Sequence, residues 1–453
     1  MTRAQLRGRL ANVAPVGGGL ALVGLAAYVV LALAGHTLPP RDYAAAASMF
    51  LLTAIVGPGV FAAVEQQTNH EVSARLAAGV DPAPAVRAAS VIDAGLSALM
   101  VLVVLALGPV LVPRAFAGHT ALLGATVLAV LGAAAAYLLR GVFAGQRRFH
   151  WYGVSLAAEG LGRLLPCVAL ALLGWASADR FGFVFALGCA VAAAVTLPAL
   201  RRTRPAPGAA DGQPGARATD PVRLRPLAAA VGLLACASSL TLLVTNLGPV
   251  VLTSRLGTAP ADAELAASFV SLFLLARIPL FLFAPVQAFL LPSLTEAAER
   301  GDLGAVRHRV RTVLLAVAAV GLPGVLGAWL LGPWAARVLF GAPTELPRMV
   351  AGLLGVSTVF MMVAAILQPA LVALGRNRAA MLAWVVSSAV FVGLLFAPMA
   401  PLAAAVAAQL VAPTLVSVLM LVALRGELRS RAAAGLSGRE PGQSIEPTVT
   451  NSL

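Results

Sequence analysis

The sequence predicts an all-α membrane protein with twelve transmembrane helices in two six-helix lobes, pseudo-two-fold symmetry about the membrane normal and a central cavity. Three observations carry this. Apolar runs near 20 residues recur from end to end, 60% of residues are hydrophobic, 11% are charged and mean hydropathy is +0.91; runs of that length cross a bilayer as helices. A polar stretch rich in Pro, Gly, Ala and Arg, residues 201–226, divides the runs six and six. The halves also carry a faint repeat: at an offset of 221, Pro58 falls on Pro279, Gln66 on Gln287, Leu51 on Leu272 and Ala45-Ala46 on Ala266-Ala267. Six helices per half give both halves one orientation, which sets the symmetry axis along the normal, with the cavity between the lobes.

In chain order the spans fall near residues 13–35, 43–64, 88–112, 119–139, 152–176, 181–200, 227–252, 265–291, 312–335, 348–373, 379–397 and 401–424. The first follows Arg3, Arg7 and Arg9, is as long as a full span and lacks a small-residue cleavage site, so it reads as a retained helix. Pro58 and Pro279 interrupt the second span of each half, bend it, and are the expected hinges. The units are then an N-terminal lobe over 1–200, a disordered cytoplasmic linker over 201–226, a C-terminal lobe over 227–424 and a disordered cytoplasmic tail over 425–453. Of the 32 basic residues, all arginine, 24 fall on the side that holds both termini and six on the other, with two inside spans. That bias predicts a multi-pass protein of the cytoplasmic membrane with both termini in the cytoplasm.

The same composition excludes several functions. A formal charge of +14 is clustered between apolar runs, which argues against nucleic acid as a partner. With no lysine, the phosphate-holding lysine of a P-loop is absent, so energy comes from an ion gradient, the membrane potential, substrate supply or a separate subunit. Cys167, Cys189 and Cys236 lie in spans without C-x-x-C spacing and read as small core residues. The five histidines are dispersed at membrane edges, and no H-E-x-x-H or G-x-S-x-G occurs. External loops are too short for catalytic groups. No enzyme, no metal site and no cofactor are expected, beyond a coupling H+ or Na+.

Residues 138–165 hold the first candidate site. The run Arg140 to Trp151 has the composition of a membrane-interface turn, and beyond it Glu159 and Arg163 share one helix face, four apart in an apolar run. Arg277 lies mid-span in LLARIPLFLFAPVQAFLLP, about ten residues from either interface, with no route to water. Arg163 and Arg277 facing one cavity would hold a diphosphate through charge-assisted bonds. The alternatives are an Arg163–Glu159 pair alone, and Arg277 bonded to carbonyls freed near Pro279. Glu159 is the candidate coupling-ion site, with Asp93 and Glu65 as inner-mouth carboxylates or ordinary helix-end charges. Gln66, Asn69, Gln287, Gln368 and Gln409 are candidates for sugar hydroxyls or interhelical bonds, and Asn246, mid-span beside Gly248 and Pro249, is a candidate cavity residue.

These residues resemble a known family. The run Arg140-Gly141-x-x-x-Gly145-x-x-x-Phe149-x-x-Tyr152 with Glu159 and Arg163, the run Ala276-Arg277-Ile278-Pro279 continuing to Leu291-Pro292, and Leu374-Gly375-Arg376-Asn377 resemble the multidrug/oligosaccharidyl-lipid/polysaccharide exporter superfamily. Within it they look like the polysaccharide-transporter branch of lipid-linked oligosaccharide, O-antigen-type flippases. The resemblance covers nearly all the spans. It implies two six-helix lobes around a cavity that moves a polyprenyl-diphosphate-linked oligosaccharide from inner to outer leaflet for surface polysaccharide synthesis, often with ion coupling. By position it implies substrate-binding roles for Arg163 and Arg277. The first two spans lack the arginines of the peptidoglycan-precursor branch, which disfavours a lipid II cargo. The expected partners are the lipid-linked glycan, membrane lipids and polysaccharide-assembly proteins, with the chain a monomer. The alternatives are a multidrug or organic-cation antiporter of the same superfamily, using Glu159, Asp93 or Glu65, and a non-transporting membrane scaffold.

Overall fold

The apolar runs fold as helices because a chain in lipid must satisfy its own backbone donors and acceptors. The computed structural model describes residues 3–200 and 223–437, with side chains described outside 3–14, 281–289, 291–292 and 432–437. Regular structure among the described residues is helical throughout. The helices are α1 (Arg3–Thr37), α2 (Pro40–Val56), α3 (Ala62–Ala77), α4 (Ala83–Arg114), α5 (Thr120–Gly145), α6 (Phe149–Leu172), α7 (Ala178–Leu200), α8 (Leu224–Arg255), α9 (Pro260–Glu299), α10 (Leu303–Phe340), α11 (Arg348–Ala373), α12 (Asn377–Leu395) and α13 (Pro401–Ser437). Twelve stretches are long and apolar enough to span, with α2 and α3 forming one of them.

Local sequence explains several boundaries. Prolines open α2 and α9, where a missing N–H is harmless and φ is already helical. Asp302 caps α10 by accepting from Ala305 N at 2.8 Å, and Gly341, with φ 64°, ends it in the left-handed region. The two expected hinges differ. Pro58 lies in a π-helical turn, Gly57–Phe61, between α2 and α3, where its missing N–H breaks the regular ladder. Pro279 sits within α9, whose helix continues unbroken to Glu299.

Several helices outrun the expected spans, because hydropathy marks only the part of a helix in lipid. The second span covers 38 residues, Pro40–Ala77, about 57 Å at 1.5 Å per residue against about 30 Å of hydrocarbon. Residues 425–437, placed in the tail by sequence, are likewise helical, since α13 continues to Ser437. Glu427 there binds Arg431 at 2.7 Å and Arg376 at 3.5 Å, and Arg431 donates to Leu374 O at 2.8 Å, tying α13 to the α11–α12 turn. Leu224–Pro226, placed in the linker by sequence, form the first turn of α8. Residues 201–222 of the expected linker and 438–453 of the expected tail lie outside the described residues.

Packing follows the two halves. In the first, α1 lies along α6, while α5 packs on α7, α3 and α4, and α6 packs on α7. In the second, α8 lies against α12, while α11 packs on α13, α9 and α10, and α12 packs on α13. The lobes meet where α2, the π-turn, α3 and α4 touch α8, where α2 touches α9, and where α1 touches α10. Gly59 of the π-turn allows one close approach: a Cβ there would lie 3.1 Å from Ser239 Oγ. Gly35, near the end of α1, allows another, against the Phe340 carbonyl and Gly341. Beside it Ser271 Oγ of α9 lies 3.4 Å from Tyr43 Oη of α2. The outer faces of α4 and α10 stay apolar, with Leu102 and Leu322 both well exposed, as surfaces meeting lipid require.

Candidate functional site

Two buried arginine centres form, one in each lobe. In the first lobe Glu159 of α6 lies between two guanidinium groups: Arg140 of α5 donates through Nη2 to Oε2, and Arg163 donates through Nη2 to Oε1 at 2.7 Å. Arg140 also donates to Ser155 Oγ at 3.0 Å. Arg163 donates to Phe185 O and Cys189 Sγ of α7, each at 3.1 Å, and its guanidinium lies 4.2 Å from the Phe185 ring centre. Gly188 gives Arg163 its space, since a Cβ there would collide with the arginine side chain. All three charged groups are buried. Nearby, Tyr152 of α6 donates to Glu65 of α3 at 2.6 Å.

Small residues bring these helices close enough. A Cβ on Gly141 would lie 2.9 Å from Thr68 Cβ, and one on Gly145 would lie 2.6 Å from Val72 Cβ, so the G-x-x-x-G face of α5 seats α3 against it.

In the second lobe Arg277 of α9 donates through Nη2 to Gln409 Oε1 of α13 at 2.6 Å, and Gln409 Nε2 donates to Val244 O of α8 at 3.2 Å. The guanidinium lies 4.9 Å from the Phe273 ring centre. The residue is only 4% exposed, yet among the described residues its Nη1 has no hydrogen-bond partner. A guanidinium donor withdrawn from water without an acceptor carries a free-energy penalty that a bound anion would remove.

Arg163 and Arg277 are held on separate partners, each within its own lobe. Arg163 directs Nε and Nη2 into its own lobe, toward α7, because Glu159 and the Phe185 carbonyl are there to receive them. Glu159, the expected coupling carboxylate, has an arginine on each oxygen. Asp93 is buried in α4 with Oδ1 unpartnered. Asn246 is half-buried and donates to Leu242 O at 3.1 Å, Gln66 is exposed on α3, and Gln368 accepts from Trp384 Nε1 at 3.1 Å. The side chain of Gln287 lies outside the described residues, as does that of Pro292. No group of three or more His, Cys, Asp or Glu arranged for a metal occurs among the described residues.

Sequence reasoning missed the roles of Arg140 and Tyr152, and it names Gln409 without its partner, the interhelical alternative being the one that forms. Arg140 was assigned to the interface turn, but α5 runs on to Gly145 and buries it; the signal was its place beside Gly141-x-x-x-Gly145, a close-packing face. Tyr152 was assigned to the same turn, and its partnership with Glu65 leaves no trace in spacing. Gln409 was one of several span glutamines, and only the packing of α13 on α8 and α9 selects it for Arg277.

This architecture can be compared with known proteins. No family model matches the chain. It is similar to an uncharacterized protein of Mycobacterium tuberculosis, 27% identical over 416 residues and 89% of each chain, and to one of Mycobacterium bovis, 28% identical over 387 residues and 83% of each. Among solved structures it resembles an inward-facing MATE family multidrug resistance transporter of the MOP superfamily, with a TM-score of 0.67 at 12% identity over 92% of this chain and 96% of that one. The fold is that of the MATE transporters. A eukaryotic MATE transporter gives a TM-score of 0.60 at 14% identity, covering 94% of this chain and 98% of its own. A MOP superfamily transporter from Pyrococcus furiosus, whose binding pocket is described as reversed in polarity, gives 0.54 at 14%, covering 92% and 97%.

Proposed function

We propose that the chain is a membrane transporter working by alternating access between its lobes, and that its cargo is a polyprenyl-diphosphate-linked oligosaccharide moved from the inner to the outer leaflet for surface polysaccharide synthesis. Arg277 carries the cargo assignment. It is a mid-span guanidinium with one donor unpartnered, and phosphate oxygens match that donor in charge and geometry. With Arg163 committed to Glu159, the anchor is a single arginine held by Gln409. The Pyrococcus furiosus neighbour, described as having reversed pocket polarity and a suggested different function, supports looking beyond cations within this fold. Arginine bias places the termini, and the turns after α3, α5 and α9, in the cytoplasm, which puts the Gly35–Phe340 contact at the outer end.

A second reading, a multidrug or organic-cation antiporter, is favoured by the neighbours' descriptions as multidrug transporters. Within the chain it is favoured by Asp93, whose buried carboxylate has a free oxygen. The neighbours taken alone support this second reading better than the first. Proteoliposomes separate the two. With a labelled polyprenyl-diphosphate sugar, Arg277→Gln is expected to slow leaflet transfer about tenfold or more, as losing a charge-assisted hydrogen bond implies. Asp93→Asn should leave that transfer intact. An Arg277-independent transfer rate, together with organic-cation efflux lost in Asp93→Asn, establishes the antiporter instead.

A further inference from the structure

At the end of the bundle where α1 finishes, the two lobes fasten their helices by different chemistry. In the second lobe Arg255, closing α8, donates to the carbonyls of Leu395, Ala397 and Met399 in the α12–α13 turn, the last two at 3.1 Å. A guanidinium is charged at every working pH. In the first lobe the fastener is His119, in the turn between α4 and α5. Its Nε2 lies 3.2 Å from Asp42 Oδ1, in the first turn of α2, and its Nδ1 lies 3.1 Å from Asp179 Oδ1, in the first turn of α7. One imidazole thus reaches the N-terminal turns of two helices from the N-terminus of a third.

We propose that His119 is a proton-dependent clasp that fixes the first turns of α2 and α7 to that of α5. The Asp42 contact is a hydrogen bond, while Asp179 Oδ1 has no hydrogen-bond partner among the described residues and faces the ring as a charge; imidazolium carries a positive charge that both carboxylates attract and neutral imidazole does not. Protonation therefore draws both carboxylates onto the imidazole, and deprotonation weakens the hold on both helices. Three arginines also lie at this end. Arg41 of α2 donates to Ala117 O at 3.3 Å, Arg180 of α7 donates to Trp175 O at 2.9 Å, and Arg114 at the end of α4 is exposed.

The clasp is placed to affect the lobe contact. Asp42 immediately precedes Tyr43, the α2 residue lying 3.4 Å from Ser271 of α9, and α2 is the helix that packs on both α8 and α9. A proton taken up on this face firms the first-lobe support of the inter-lobe helix, while the Arg255 fastener in the second lobe stays constant.

Hydrogen exchange of the full chain in nanodiscs tests this without a transport assay. After correction for intrinsic rates, peptides spanning 36–46, 115–122 and 176–183 are expected to exchange several-fold more slowly at about pH 5 than at about pH 8. A peptide spanning 392–404, held by Arg255, serves as the control and should show no such change. His119→Gln should remove the pH dependence from all three peptides. Asp179→Asn, the milder variant, should remove it from 176–183 and keep it in 36–46. Equal protection at both pH values in the wild type, or pH dependence surviving in His119→Gln, overturns the clasp. Full dependence of 176–183 in Asp179→Asn overturns the two-carboxylate form of it.

Discussion

Glu159 receives a guanidinium on each carboxylate oxygen, in a site from which water is excluded. Two charges of one sign on a single carboxylate persist in lipid only while the carboxylate remains, and removing one member of a buried ion network leaves the others uncompensated. Glu159→Gln is therefore expected to destabilise the protein by about 3–5 kcal/mol, read as a marked fall in Tm in detergent. A normal Tm with transport abolished would instead return Glu159 to an ion-coupling role. Arg277 belongs to the opposite case. Among the described residues its hydrogen-bond partner is a neutral amide and its Nη1 has none, and Arg277→Gln should alter transport far more than stability.

At the scale of the element, the contact that builds the first arginine centre is the α3–α5 pair. Gly141 and Gly145 let α3 approach until Glu65 reaches Tyr152, while Arg140, on the same helix as the glycines, is buried toward Glu159. Gly145→Leu would drive a side chain into Val72 and Asn69. Overpacking of this kind typically costs about 1–3 kcal/mol, and calorimetric unfolding should show a loss of that size with the helical circular dichroism of the native state retained at low temperature. Unchanged unfolding would mean that α3 and α5 stand further apart than described. The two turns that follow α5 and α11 are related. Arg147, with φ 56°, holds the left-handed position that Gly375, with φ 75°, holds in the second half, so the halves share a backbone geometry even where only one uses the residue suited to it. Arg140 and Gln368 stand at equivalent places before these turns, one bonded to Glu159 and the other to Trp384.

For the molecule as a whole, the inter-lobe contact at the end of α1 is the feature that the proposed alternating access must break. Gly35 is the close point: a Cβ there would lie 2.9 Å from the Phe340 carbonyl carbon. Gly35→Val is expected to wedge the lobes apart at this end. The readout is labelling of Ser271→Cys by a membrane-impermeant thiol reagent with Cys236→Ser as background, Cys236 being the exposed native thiol. Buried Ser271 should label slowly in the parent and several-fold faster with Gly35→Val. Equal rates in both would mean that this contact does not close the path to Ser271.

The sequence by itself determined the membrane class, the twelve spans, the division into halves and the absence of a P-loop, because hydropathy, length and residue identity act locally and need no neighbours. It also marked Glu159, Arg163 and Arg277 as buried charges, since no mid-span ionisable residue can be ordinary surface. Only the tertiary structure decided what those charges meet. Arg140 enters the Glu159 centre because α5 continues past its apolar run, and Gln409 reaches Arg277 from 132 residues away. Arg163 turns away from the other lobe because Phe185 and Cys189 of α7 lie within its reach. Choice of partner depends on which helices pack side by side, and in a chain this uniformly apolar many pairings satisfy hydropathy equally. Close approaches at single glycines select among them.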